Sequence, residues 1–164
     1  MGEFSIDIAQ FHAETIEDID IIRRKTTLDV FSKVVFKTPV DTGRARGNWS
    51  VSISKPSRKV LKGVDRTGQK VQARIATSVG RSSVTDSVFL ANNLPYIGVL
   101  EYGGYPMDPE KGSRISIGKA KGQYEIRSAG GFSKQAPAGM VRTTIAEFPY
   151  IVRKSEAGTK FSGG

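Results

Sequence analysis

The residues most able to do chemistry stand in one short run, Asp41-Thr42-Gly43. The same tripeptide holds the catalytic carboxylate of aspartic peptidases. That chemistry needs two Asp carboxylates sharing one proton, and a short chain would supply the second by dimerising. The local context argues against it. Pro39 and a helical pattern precede the Asp where an apolar strand is wanted, and Arg44 follows the Gly. A cation so close favours the ionised carboxylate, whereas one member of the pair must be protonated. Turn chemistry accounts for the tripeptide better: Asp bonds the backbone ahead of it, and Gly accepts positive φ.

Other reactive constellations are scarce. The sequence has no Cys and one His, His12, so neither a thiolate nor a His-based metal site is expected. The glycines of Gly118-Lys119-Ala120-Lys121-Gly122 miss the spacing of a phosphate loop. Asn48-Trp49-Ser50 matches a glycosylation acceptor, but nothing in the sequence suggests secretion. No catalytic centre, cofactor or metal is expected, and the protein does not read as an enzyme.

Charge is unevenly placed. Net charge is +9 over 164 residues. Residues 1–41 hold eight acids and five bases; the remainder holds twenty bases and eight acids. An acidic helical end and a basic body suit self-association or an anionic partner such as DNA, and equally a solvated surface. There is no basic-then-apolar leader and no apolar run of membrane-spanning length, so a soluble protein made in a cytoplasm is expected.

The elements that must position the corner follow from periodicity. Ile8, Phe11, Ile16, Ile19, Ile22, Leu28, Phe31, Val34 and Val35 recur at helical spacing up to Phe36, with a possible break at Thr15. Pro39 ends that helix. Trp49, Val51 and Ile53 alternate with serines, predicting a strand over 48–54. Val71, Ala73, Ile75 and Thr77 alternate likewise and predict a second over 70–79; a third is expected over 86–91. Between the first two, Lys55, Arg58, Lys59 and Lys62 form a basic connection, a candidate contact for a DNA backbone. Ile97, Val99, Leu100 and Tyr102 read as either a short helix or a strand end. A Gly-rich arm runs over 103–131 with a small hairpin around Ile115 and Tyr124. A helix follows from Pro137 to Glu147 and Pro149 interrupts it; 150–152 is then a second short helix or, by preference, an extended edge strand, and 155–164 a flexible tail.

The fold class is thus α+β: a long N-terminal helix and a C-terminal helix on a small antiparallel sheet, in a single domain over 1–164. Its parts are a helical region (1–37), a sheet core (38–102), the arm (103–131), a C-terminal helical region (132–154) and the tail. The expected core is Phe31, Val34, Val35, Trp49, Val51, Ile53, Val71, Ile75, Phe89, Leu100, Met140, Val141 and Ile145.

Three stretches resemble one known family. Thr38-Pro39-Val40-Asp41-Thr42-Gly43-Arg44-Ala45-Arg46-Gly47-Asn48-Trp49, with a helix before and a strand after, is similar to a corner of the neck and tail-completion proteins of long-tailed bacteriophages, the minor tail protein Z group. Asn92-Asn93-Leu94-Pro95-Tyr96 running to Leu100-Glu101-Tyr102-Gly103 resembles a second family segment, which implies a short helix near 96–101. Gln135-Ala136-Pro137-Ala138-Gly139-Met140-Val141 resembles the approach to its last helix. The resemblance implies a virion structural protein at the top of the tail, forming a ring, hexameric or twelve-fold, around the DNA channel. Adjacent neck and tail-tube proteins would be its partners. It places interface or motif roles on Asp41, Thr42, Gly43, Arg44, Arg46, Trp49, Asn93, Pro95, Tyr96 and Glu101. Glu101 is expected to pair with Arg44 or Arg46. The alternative is a nucleic-acid-binding protein acting through its basic body.

Overall fold

The computed structural model describes residues 3–104, 114–116, 124–126 and 131–159; at 3–7, 114–116 and 124–126 only the backbone is described. The fold is α+β. Helix α1 (Glu3–Lys37) is continuous over 35 residues, roughly 50 Å at 1.5 Å per residue. No break occurs at Thr15, whose hydroxyl donates back to the Phe11 carbonyl at 2.8 Å inside the helix. Then come the short helix α2 (Arg44–Gly47) and strand β1 (Ser50–Ile53). Strand β2 (Val88–Ala91) pairs antiparallel with β1, Ser50 opposite Ala91 and Ile53 opposite Val88. Helix α4 (Ile97–Tyr102) occupies the expected place. The small hairpin is present as β3 (Arg114–Ser116) and β4 (Tyr124–Ile126); the rest of the arm between 105 and 130 lies outside the described residues.

One expected strand is a helix. Residues 70–79 belong to α3 (Gln69–Arg81), so β1 and β2 form a two-stranded sheet. Val71, Ile75 and Val79 are four apart and buried, while Ala73 and Thr77, which completed the alternation, are exposed. Burying three such side chains is worth about 1.5–3 kcal/mol each, more than the few tenths by which β-branched residues disfavour a helix. A two-stranded sheet is marginal alone. Here α3 packs on both β1 and the second half of α1.

The C-terminus also departs from expectation. Helix α5 (Val141–Ala146) starts after Pro137 rather than at it, and residues 148–157 form α6 (Phe148–Ala157) instead of an edge strand. Pro149 sits in the first turn of α6, where its missing N–H costs no hydrogen bond. The expected tail therefore begins helical, with Ser155 and Thr159 buried; residues 160–164 lie outside the described residues. Both helices lie against α1, and Glu147 between them accepts from Lys33 at 2.8 Å and Lys37 at 2.6 Å.

The core joins Val34 and Val35 of α1, Trp49, Val71, Ile75, Leu94, Leu100 and Met140, with Phe31, Val51 and Val141 partly buried against them. Ile53 and Phe89 are half-buried. Ile145 is 62% exposed and is not core; Thr144 takes the inward position, its hydroxyl bonded to the Met140 carbonyl.

Candidate functional site

The corner after α1 is built around Thr38. Its hydroxyl donates to the Val34 carbonyl and accepts from the Trp49 indole N–H, both at 2.8 Å. This bond satisfies the polar tip of a buried Trp and fixes where the chain turns. Gly43 then adopts φ +87°, and its carbonyl accepts from the Gly47 and Asp65 amides. A Cβ on Gly43 would stand 2.7 Å from the Arg66 nitrogen, and one on Gly47 2.8 Å from the Asp65 nitrogen. The glycines thus let the 55–68 connection lie directly on the corner. Arg46 clamps the same junction, donating to the carbonyls of Phe36, Thr38 and Arg66.

Asp41, Thr42 and Arg44 stay on the exposed rim, and the Thr42 hydroxyl accepts from the Arg44 amide. Asn93 holds the far part of the connection, donating to the Ser57 carbonyl at 2.9 Å and the Lys59 carbonyl at 3.2 Å. Asn48 donates to the Leu61 carbonyl. The backbone of this irregular stretch is therefore anchored, while Lys55, Arg58, Lys59 and Lys62 project into solvent. Four cations on a fixed track suit an extended polyanion, contacted through phosphates without reading of sequence.

Asp65 is the acid that organises this connection. It is buried, and accepts from the Gly68 amide at 2.9 Å, the Val71 amide at 3.0 Å and the Thr67 hydroxyl at 3.2 Å. It caps α3, whose flanking Gly68 offers no side chain. Burial disfavours its charge, but these hydrogen bonds outweigh that, and its pKa lies below the ordinary Asp value. Its signal in the sequence is a lone acid among bases, three residues before a glycine.

Glu101 pairs with neither Arg44 nor Arg46. Its carboxylate accepts from the Met140, Val141 and Arg142 amides at 2.7, 2.9 and 2.9 Å, at the start of α5. Arg142 adds a contact at 3.3 Å and donates to the Glu101 carbonyl at 2.6 Å. Four unpaired amides open any helix, so a buried carboxylate there meets ready-made donors that an arginine of the corner would have to displace. Burial works against the charge; the amides of Arg142, Val141 and Met140 prevail and lower the pKa. The Arg142 guanidinium also lies 5.3 Å from the Tyr102 ring and 5.8 Å from the Phe132 ring.

Pro95 and Tyr96 are exposed at the head of α4. Partial burial raises the Tyr96 phenol pKa. Gln135 exchanges two hydrogen bonds with the Val40 backbone, at 2.7 and 3.1 Å, and Asn92 donates to the Ala45 carbonyl at 2.8 Å. The corner, the 92–103 segment and the 135–141 segment are thus tied to one another across the chain. Among the described residues no group of three or more His, Asp or Glu could hold a metal ion, and no helix is long and apolar enough to cross a membrane. No family model, curated protein or solved structure matches the chain.

Proposed function

We propose that the chain is a structural protein of the bacteriophage neck, a tail-completion or head–tail joining subunit that assembles as a ring around the DNA channel. The observation that carries this reading is the interlock of the three stretches that resemble the neck family. Asn92 binds Ala45, Gln135 binds Val40, and Glu101 caps the segment 140–142. Stretches that recur together in a family and bind one another in space behave as one scaffold. Here they build a frame that presents an anchored basic connection and an acidic helix. A head-to-tail ring needs two different complementary surfaces on each subunit, and the acidic end of α1 and the basic body supply opposite charge. In this reading the protein is not an enzyme. It is made in the host cytoplasm and resides at the top of the tail, between neck and tail-tube proteins, with Lys55, Arg58, Lys59 and Lys62 facing passing DNA. A hexamer is the expected ring. The test is gene disruption scored by electron microscopy: filled heads and separate tails support the reading, and intact joined particles overturn it.

The anchored basic connection also favours a second reading, a protein whose main task is to hold DNA backbone. Its mark is DNA affinity in the isolated subunit that falls steeply with salt.

A further inference from the structure

The first half of α1 has an apolar face that the described residues leave exposed. Ile8, Phe11, Ile16 and Ile19 are 54%, 64%, 40% and 51% exposed. With Ile22 they fall within about 140° of arc at 3.6 residues per turn, so they form one stripe. Ile19 and Ile22 of the stripe also line a groove of about 440 Å³ alongside the second half of α1. Its wall is mostly apolar, with Ile22, Val30, Phe31, Val88, Phe148 and Val152, and Arg23, Asp86 and two threonines also line it. Stripe and groove therefore meet at Ile19 and Ile22.

Charge identifies the occupant. Six acids and no Lys or Arg precede Arg23, while from Arg23 onward stand all twenty-five bases and only ten acids. The end bearing the stripe is strongly negative and the body bearing the groove strongly positive. Two such ends repel each other, whereas one end laid on another copy's body is attracted. We infer that residues 8–16 of α1 in one copy seat in the groove formed by α1, β2 and α6 of a second copy. This rests on the self-assembly part of the neck reading and not on its location in a virion. It assigns the contact that joins neighbours to Ile8, Phe11 and Ile16 on one side and Phe148 on the other. Leaving the body to reach a neighbour is a use for a helix far longer than its own core requires.

The sequence contains no Cys, so single-cysteine variants report the contact directly. Ile16→Cys and Phe148→Cys proteins, mixed under mild oxidation, are expected to give a disulfide-linked heterodimer well above the homodimers of either alone. Phe11→Ser with Ile16→Ser, both on exposed positions, is expected to raise the concentration for assembly at least tenfold in light scattering while leaving the circular dichroism spectrum intact. A heterodimer no more abundant than homodimers, or assembly of the serine variant at the wild-type concentration, overturns the inference. The Ile16→Cys, Phe148→Cys double variant separates it from the ring: a disulfide ladder that stops at two copies upholds the seating and removes the ring. Likewise, protein that cross-links this way yet leaves phage particles joined when its gene is disrupted upholds the seating and removes the neck.

Discussion

The Glu101 carboxylate lies 2.7 Å from the Met140 amide, across a point where Gly139 passes so close that a Cβ there would meet the Glu101 carbonyl at 2.5 Å. Glu101 and Gly139 are two halves of one lock: the first supplies acceptors for the opening of α5, and the second removes the atom that would hold them apart. Glu101→Gln keeps the shape but loses the charge that holds three amides and Arg142. The expected cost is about 2–4 kcal/mol, since hydrogen bonds to a buried charge are worth roughly twice neutral ones and the amides lose part of their partner. Urea unfolding measures it; an unchanged midpoint would show that water serves the helix start equally well.

The approach of the basic connection to the corner gives a second expectation. Gly43→Ala places a methyl against the Arg66 backbone at a φ of +87°, and Gly47→Ala places one against Asp65. Gly63→Ala is the internal control, because a Cβ there meets nothing within 4 Å. The first two should each cost roughly 2 kcal/mol or more, from backbone strain and displacement. They should also release the 55–64 stretch to trypsin at Lys59 and Lys62. Equal cleavage of the Gly43→Ala and Gly63→Ala proteins would refute the docking.

Acid should loosen the packing of α1 on the C-terminal helices. Hydrogen bonds from Lys33 and Lys37 hold the Glu147 pKa down at about 2, and the bond to Lys33 raises the Lys33 pKa in turn. A depressed carboxylate stabilises the fold above its unfolded pKa of about 4.3, and that stability is lost as pH falls toward the folded value. Glu101 and Asp65 are depressed as well and act in the same window. Melting temperature should therefore be flat near neutrality and fall between about pH 4.5 and 2. Glu147→Gln should start lower and fall less steeply; a slope identical to wild type would assign the acid sensitivity to other groups.

Much of the frame is legible in the sequence because its signals are local. Pro39 ends α1 and the serines between Trp49, Val51 and Ile53 mark β1; residues 97–102 by themselves read as helix or strand end, and only the family resemblance points to the helix found there. Where local signals are ambiguous, tertiary packing decides. Val71, Ala73, Ile75 and Thr77 satisfy a period of two, while Val71, Ile75 and Val79 satisfy a helix; only packing against α1 and the Asp65 cap select the second. Pro149 reads as a breaker in the sequence, but a first-turn proline is helix-compatible. The partner of Glu101 is out of reach of sequence reasoning because backbone amides carry no side-chain signature. Charge matching therefore points to Arg44 and Arg46, of which Arg46 is already engaged by three carbonyls.

The basic connection distinguishes a ring subunit that tolerates DNA from a protein built to hold it. Lys55, Arg58, Lys59 and Lys62 are exposed, and the backbone beneath them is fixed by Asn48, Asn93 and Asp65 rather than by the lysines themselves. Replacing all four with Ala should thus leave stability within about 1 kcal/mol of wild type, as for surface changes generally. For duplex DNA, each phosphate that the protein ceases to neutralise reduces the slope of log affinity against log salt by about 0.9. If all four touch phosphates, the slope should fall by roughly 3–4 and affinity should drop alike for every sequence tested. The ring reading adds that the quadruple variant still assembles at the wild-type concentration, since its joining surface lies elsewhere. A variant that binds DNA with an unchanged slope would move the DNA contact off this connection. One that no longer assembles would make the basic connection part of the subunit interface, where its cations would meet the acidic end of a neighbour.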